Sequence, residues 1–495
     1  MIYGNGIDAQ EISAVEGTAS RQPRFIDTIL TANERAIFDS RKGKHQWEFL
    51  AGRFSLKEAY SKAIGTGIGK AVSWHDLEIL YDAKGAPLMT KHPKQATLLA
   101  HVSISHTGDS VHTSVILEDL PTLTQPVSTH RPAWIEISAA ALKHNIQYIK
   151  TKAQAERFFA VVKANAYGHG LPQVITAALE VGVEGFAVAT MDEALWVRSF
   201  GVKQPILILG ITAPEYANEL ASNQLTPVVT SLASLQALVD HLTVNQQLSV
   251  AIGVDTGMGR IGMRDQAEIK ATLALIKTHA EQIQLQSIGM HFATADEKDN
   301  HYFEQQLQRW HTLIDDLDLP ADVWLHVANS ATSLWHSNPA TDVIRVGAGM
   351  YGFDASNGAM PATDLQPVLS LKADLVAVKQ IAPGDSVSYG ATYTATQPTW
   401  IGTLPIGYAD GYPRALQGMY GLLPTGEHVE IVGRIAMDQL MVALPHEYPV
   451  GTTITLIGQV GAETITLVDL AQRVGTIPYE IATGLATRLP RNLIN

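Results

Sequence analysis

The chain has 495 residues, too many for one ordinary domain, and is 46% hydrophobic and 17% charged, enough apolar material for several cores. A formal net charge of −13 disfavours broad contact with nucleic-acid phosphates, and the absence of cysteine excludes disulfides, thiolate zinc sites and cysteine nucleophiles. Met1 to Asp8 lack the basic and apolar pattern of a leader and no apolar run is long enough to span a bilayer, so a cytoplasmic protein with no nucleic-acid or membrane partner is expected.

In chain order, Trp47 to Ile64 is amphipathic at helical spacing, and Leu98 to Leu117 alternates as strands do around a turn at Thr107-Gly108-Asp109. These predict a small α+β domain over residues 1–119. Leu120 to Pro132 holds three prolines and four Thr/Ser with no period, so residues 120–131 read as a linker. An alternating strand–helix rhythm follows, with strands expected at Phe158–Lys163, Gly185–Val188, Pro205–Leu209, Thr226–Val229, Leu248–Val254, Leu285–His291, Val323–Ala328 and Val343–Val346. Eight such units predict an α/β TIM-type (β/α)8 barrel over 132–369, with an open doubly wound sheet as the alternative. From about residue 370, short strands with Gly, Pro and Asp turns predict a mostly-β domain over 370–495. Chemistry in a barrel sits at the C-terminal strand ends, where Lys163, His291, Asn329 and Arg345 fall.

Three patterns carry chemistry. The apolar run Phe159-Ala160-Val161-Val162 delivers Lys163 into the turn Ala164-Asn165-Ala166-Tyr167-Gly168-His169-Gly170. A lysine at the end of a buried strand loses hydration, so its amine can become neutral and nucleophilic, as a Schiff base requires; Tyr167 stands close enough to hold a phosphate. Taken alone, Lys163 reads as a solvated lysine after a strand, and it is the surrounding residues that reverse that reading. Asp255-Thr256-Gly257-Met258-Gly259-Arg260-Ile261-Gly262 contains a formal G-x-G-x-x-G, but it lies deep in the βα array rather than opening a nucleotide unit. Arg260 there suits the gripping of a carboxylate. In the first domain, Arg53 and Lys57 share one helical face, as do Glu58 and Lys62, which by itself describes a solvated i,i+4 surface.

From Arg131 to Arg491 the chain resembles alanine racemases. The resemblance rests on the lysine run and the 255–262 loop, and on Met290-His291-Phe292-Ala293-Thr294-Ala295-Asp296, His326 to Ala331, Arg345-Val346-Gly347, Ser388-Tyr389-Gly390, Pro405 to Gly411 and Gly433 to Asp438. It implies a pyridoxal 5'-phosphate enzyme that interconverts the alanine enantiomers and supplies D-alanine for the cell wall. Lys163 would carry the cofactor and act as one base, and Tyr389 as the opposite base. Arg260 and Met437 would bind substrate. Tyr167, Ser330, Gly347 and Ala348 would hold the phosphate, and Arg345 would face the pyridine nitrogen. His291 would support Tyr389, Tyr408, Arg434 and Asp296 would line the entrance, and Asp438 would be a further supporting residue. Gly253 stands where many relatives have a carbamylated lysine that positions the arginine. The resemblance also implies a homo-oligomer, with each site shared between two subunits and Tyr389 acting in trans.

The first 119 residues resemble holo-acyl-carrier-protein synthases, on Gly6-Ile7-Asp8, Phe49 to Gly67 and His101 to Thr107. This implies transfer of 4'-phosphopantetheine from coenzyme A to a serine of acyl carrier protein. Asp8 and Glu58 would be the Mg2+ ligands. Arg53, Lys57, Lys62, Gly65 and His106 would line the coenzyme A site. This domain adds the prospect of higher-order assembly. The alternative is a racemase whose N-terminal domain only binds carrier protein. Basic residues near the carrier-protein side are Arg21, Arg24, Arg41, Lys42 and Lys44; Ala14 stands where relatives often have another.

Overall fold

The computed structural model describes residues 2–81, 85–94, 98–119, 127–336, 341–356 and 358–495. It falls into two compact units that part near residue 124. Residues 120–126 of the expected linker lie outside the described residues. Residues 127–131 are tied into the second unit, where the Ser128 N–H donates to the Arg488 carbonyl at 2.7 Å and Arg131 pairs with the buried Asp410.

The first unit is an antiparallel sheet in the order Ile2–Glu11, Ser110–Asp119, Leu98–Thr107, with helix Lys44–Ile64 against one face. A Cβ on Gly4 or Gly6 would collide with the carbonyls of Ala63 or Ala59, so glycine lets this strand run against the helix backbone. Gly65, at φ +80°, ends the helix in a left-handed cap.

In the second unit eight parallel strands lie in the order Trp324–His326, Ile283–Gly289, Leu248–Gly253, Leu225–Val229, Ile206–Ile208, Gly185–Val188, Arg157–Val161, Val343–Val346. The ring is nearly closed. Asp342 joins its ends, its N–H donating to the Leu325 carbonyl and its carboxylate accepting from the Leu325 N–H, both at 2.8 Å. The parallel barrel, rather than the open doubly wound sheet, is therefore the architecture. Phe159, Val161, Ala187, Leu207, Ala251 and Val343 fill the interior, while Phe158, Ala160, Phe186, Val188, Ile206 and Ile208 pack outward under the helices. Burial on both faces explains the unbroken apolar runs.

Ala133–Ser138 is not a barrel element. It pairs antiparallel with Leu369–Asp374 and parallel with Arg491–Ile494, inside the mostly antiparallel sheet of the C-terminal domain. The chain thus lays one strand of that sheet before it builds the barrel. Helices Leu467–Val474 and Pro478–Gly484 complete this domain. Among the described residues no helix is long and apolar enough to cross a membrane.

Candidate active site

Lys163 lies two residues beyond its strand, at the start of a turn in which Ala164, Asn165, Ala166 and Tyr167 all have φ of 53–54°. Left-handed backbone costs each non-glycine residue about 1–2 kcal/mol, so the turn persists only because its surroundings hold it. The Ala164 N–H donates to Glu193 Oε1 at 2.6 Å, Asn165 Oδ1 accepts from Leu171 N at 2.8 Å, and His169 Nδ1 bonds the Tyr167 carbonyl at 3.0 Å. Gly168 touches the backbone of Ala482, where any side chain would collide. The strained turn aims Lys163 into the barrel mouth and sets Tyr167 beside Gly347, whose missing side chain leaves room for the Tyr167 hydroxyl.

Lys163, Tyr167, Arg260, His291, Asp296, Ser330, Arg345, Gly347 and Ala348 line one cavity of about 650 Å³. Burial, helped by the nearby Arg260 charge, lowers the Lys163 pKa, while Glu193 acts against them. Arg345 is buried on the floor. Its guanidinium donates to the Met290 carbonyl at 2.7 Å, the His326 carbonyl, His326 Nδ1 at 2.6 Å and His291 Nδ1 at 3.4 Å. Because a guanidinium only donates, both histidines accept on Nδ1 and carry their proton on Nε2. Burial and the Arg345 charge pull His291 down to about 3 and keep it neutral. Burial and Arg260 bring Arg345 itself to about 10, still protonated near neutrality. Ser330 Oγ accepts from the N–H groups of Gly347 and Gly349 at 3.1 and 3.2 Å.

Tyr389, Tyr408 and Met437 do not reach this cavity. They lie on the C-terminal domain and are 71%, 43% and 53% exposed. Their segments pack together: the Ala409 N–H donates to the Met437 carbonyl at 3.0 Å and Ser388 Oγ to the Arg434 carbonyl at 2.6 Å. Asp438 pairs with Arg488 at 2.6 Å. The expected residues therefore fall into two groups on one chain, one lining the cavity and one exposed on the C-terminal domain, and within the chain His291 contacts Arg345.

In the first unit Asp8 accepts from Lys62 Nζ and Ser55 Oγ, each at 2.8 Å. Glu58 is close by; burial and the Asp8 charge raise its pKa. Gly65 and His106 are exposed. Arg53 and Lys57 are fully buried, contrary to the solvated face their spacing suggests. Lys57 Nζ pairs with Glu34 at 2.6 Å and donates to the carbonyls of Ile29 and Trp74 at 2.7 and 3.0 Å; the Arg53 guanidinium lies over Phe49 and Tyr81, 4.2 and 4.8 Å from the ring centroids. In this chain both side chains are turned into the interior of the domain.

Sequence reasoning missed three residues at the barrel mouth. Tyr479 reaches the cavity from helix Pro478–Gly484, which Pro at its first turn announces in a stretch read as strands. Glu193 is the fourth member of the capping box Thr190-Met191-Asp192-Glu193, a visible signal whose carboxylate also reaches Ala164. His326 holds Arg345 and bonds Ser287 Oγ at 3.1 Å.

A parallel barrel with a desolvated lysine at its mouth, joined to a mostly-strand domain, is the arrangement of a two-domain barrel protein whose lysine suits Schiff-base chemistry. Residues 137–355 and 368–493 match the families described as alanine racemase, N-terminal domain and C-terminal domain, and residues 4–116 match the 4'-phosphopantetheinyl transferase superfamily. The chain is 48% identical over 375 residues to the alanine racemase of Lactiplantibacillus plantarum, covering 74% of this chain and 99% of that one. The E. faecalis alanine racemase structure matches with a TM-score of 0.71 and 40% identity, over 75% of this chain and all of that one. A histidine racemase from Leuconostoc mesenteroides matches with a TM-score of 0.72 and 37% identity over the same shares. The chain belongs to the alanine racemase family, and a domain of the 4'-phosphopantetheinyl transferase superfamily precedes its racemase part. Family membership makes the protein an isomerase fused to a transferase and implies pyridoxal phosphate as the racemase cofactor.

Proposed function

We propose that residues 125–495 interconvert L- and D-alanine in the cytoplasm with Lys163 and Tyr389 as opposed bases, supplying D-alanine to the cell wall. The observation that carries this reading is the convergence in one cavity of Lys163, two arginines and the Ser330–Gly347 cradle. That donor set fits pyridoxal phosphate: hydroxyls of Ser330 and Tyr167 and the amides of Gly347 and Ala348 would hold the phosphate, and Arg345 the ring edge. When bound, the cofactor supplies the electron sink that acidifies the α-carbon.

The protein's residues do the rest. Arg260 binds the substrate carboxylate. Lys163, its neutral form favoured by burial, takes or returns a proton at Nζ on one face. The Tyr389 hydroxyl does the same on the other face, from a second subunit. Arg345 keeps its proton, and two cations in contact repel, so a ring nitrogen beside it stays neutral. The exposure of Tyr389, Met437 and Tyr408 supports a dimer in which each C-terminal domain covers the other's barrel mouth. Alanine is favoured over other amino acids by the majority of similar racemases, with a histidine racemase and a lysine racemase as the competing cases.

The test is complementation. Lys163→Ala and Tyr389→Phe should each abolish racemisation, and subunit exchange between the two should restore up to about a quarter of wild-type sites. No recovery on mixing would exclude a shared site.

For residues 1–119 the reading is Mg2+-dependent transfer of 4'-phosphopantetheine from coenzyme A to acyl carrier protein. Asp8 and Glu58 suit a cation whose remaining ligands are water and substrate phosphates. Lys62, now paired with Asp8, would turn to the phosphates. Glu58→Ala should abolish carrier-protein modification and leave racemisation intact. Absence of transfer by wild-type protein, with carrier protein still bound, would favour a binding-only domain.

A further inference from the structure

Arg260 lies on a loop that has little reason to keep one shape. Gly257, Gly259 and Gly262 have φ of +142°, +70° and +124°, conformations that glycine reaches but does not hold by itself. Among the described residues the Arg260 guanidinium makes no hydrogen bond, and it is exposed. No side chain supports the loop from the strand below: Gly253 sits there, and a Cβ on it would lie 2.8 Å from Val228 Cγ1. Inside the loop Asp255 Oδ1 accepts from the N–H groups of Gly257 and Gly259 at 2.9 and 3.0 Å, and Thr256 Oγ1 donates to Met290 Sδ at 3.2 Å.

The support comes from outside. Helix His301–Ile314 runs past the loop and grips its backbone at consecutive carbonyls. Tyr302 Oη donates to the Gly257 carbonyl at 2.7 Å, and Arg309 Nη1 to the Thr256 carbonyl at 3.0 Å. The fully buried Gln306 donates to Thr256 Oγ1 at 3.3 Å and to the His291 carbonyl at 3.1 Å, and accepts from the Ala293 N–H at 2.8 Å. One amide thus ties the Arg260 loop to the His291 loop. A Cβ on Gly257 would lie 2.7 Å from the Tyr302 hydroxyl and 2.9 Å from Arg309 Nη1, so only glycine lets both side chains close on the backbone.

We infer that Tyr302, Gln306 and Arg309 are positioning residues that clamp the 255–262 loop and so fix Arg260 for the substrate carboxylate. This rests on the racemase reading for Arg260, while the clamp itself concerns the loop. Arg260 binds ground and transition states alike through the carboxylate, so a loosened clamp should raise KM more than it lowers kcat.

Tyr302→Phe removes one hydroxyl and keeps the ring. Losing one hydrogen bond should raise KM for alanine about fivefold and leave kcat, the cofactor spectrum and cofactor affinity unchanged. In an Arg260→Lys background the same substitution should add no further loss, because the residue it acts through is gone. Amide hydrogen exchange at residues 257–260 should speed up by a similar factor, and this is read on the protein whether or not it turns over. Unchanged exchange in Tyr302→Phe overturns the clamp, as does a KM rise of equal size in both backgrounds. A wild-type protein that racemises no alanine defeats the racemase reading instead, and the exchange comparison still decides the clamp.

Discussion

Lys57 separates the structural from the sequence-based view of the N-terminal domain, so Lys57→Met is the informative perturbation. The resemblance to holo-acyl-carrier-protein synthases implies a charge facing coenzyme A, whereas both partners of the Lys57–Glu34 pair are fully buried. Lys57 Nζ makes three hydrogen bonds, and the substitution removes them all. Glu34 keeps the N–H donors of Thr31 and Ile79, each at 2.9 Å, and the charge of the buried Arg53 nearby, but loses its directly paired cation. Breaking a buried pair from one side costs about 3–5 kcal/mol, because the remaining charge is left uncompensated. Read as amide exchange along helix Lys44–Ile64 in the full-length protein, that is roughly two to four decades faster exchange at about 1.4 kcal/mol per decade. Replacing both partners with methionine should recover much of the loss, since no charge then remains buried. The reasoning is refuted if Lys57→Met leaves helix exchange near wild type while coenzyme A affinity collapses, for that is how a ligand-contacting lysine behaves.

Three further outcomes follow from the racemase part. Gly347→Ala forces a methyl against the Tyr167 hydroxyl, so cofactor affinity should fall by about tenfold or more, checked by spectroscopic titration of the apo-protein. Glu193→Gln keeps the shape but replaces one acceptor of the turn with a donor facing the Ala164 or Ala189 N–H; the Lys163 turn should loosen, and covalent cofactor capture, trapped by reduction and weighed, should slow. Folded His169, buried and neutral, takes its proton only near about 4, whereas the unfolded chain takes it near the ordinary 6.5. The unfolded state therefore binds more protons between those values, so this stability is fully present above pH 6.5 and falls as pH drops toward 4, by up to about 3 kcal/mol. His169→Asn should flatten that part of a urea-midpoint series; an unaltered slope would refute the assignment.

The barrel was legible because its strands are buried on both faces and so read as unbroken apolar runs separated by helical periods. Gly185–Val188 and Val343–Val346 coincide with their expected bounds, and the others differ at the ends, where ladder pairing rather than composition sets the limit. Ala133–Ser138 gave no sign of which sheet it joins, since alternation describes a half-buried strand but not its partner. Helix Lys44–Ile64 was legible as a helix, but the burial of Arg53 and Lys57 was not, because 3.6-residue spacing puts two cations on one face without saying whether that face is wet. Half of the racemase constellation was brought together by the barrel. The other half, around Tyr389, lies exposed on the C-terminal domain away from the cavity, as the proposed shared site requires.

The cavity also reconciles an acidic chain with anionic ligands. The protein carries a net charge of −13, yet the fixed charges lining the cavity are Lys163, Arg260 and Arg345 against Asp296. Like charges in a poorly solvated space repel, and the lowered Lys163 and Arg345 pKa values record that repulsion together with burial. The fold tolerates the excess through neutral acceptors: Arg345 is satisfied by carbonyls and imidazoles rather than by carboxylates. An anion entering the mouth meets charge that the protein has left uncompensated, which favours phosphate and carboxylate groups. The apo-protein should accordingly be stabilised by inorganic phosphate, by about 2.7 kcal/mol at a hundredfold excess over its dissociation constant. The gain should shrink in Arg345→Gln or Arg260→Gln. Equal stabilisation in all three proteins would mean that the cavity's charge does not attract anions and that neutral donors alone carry the binding.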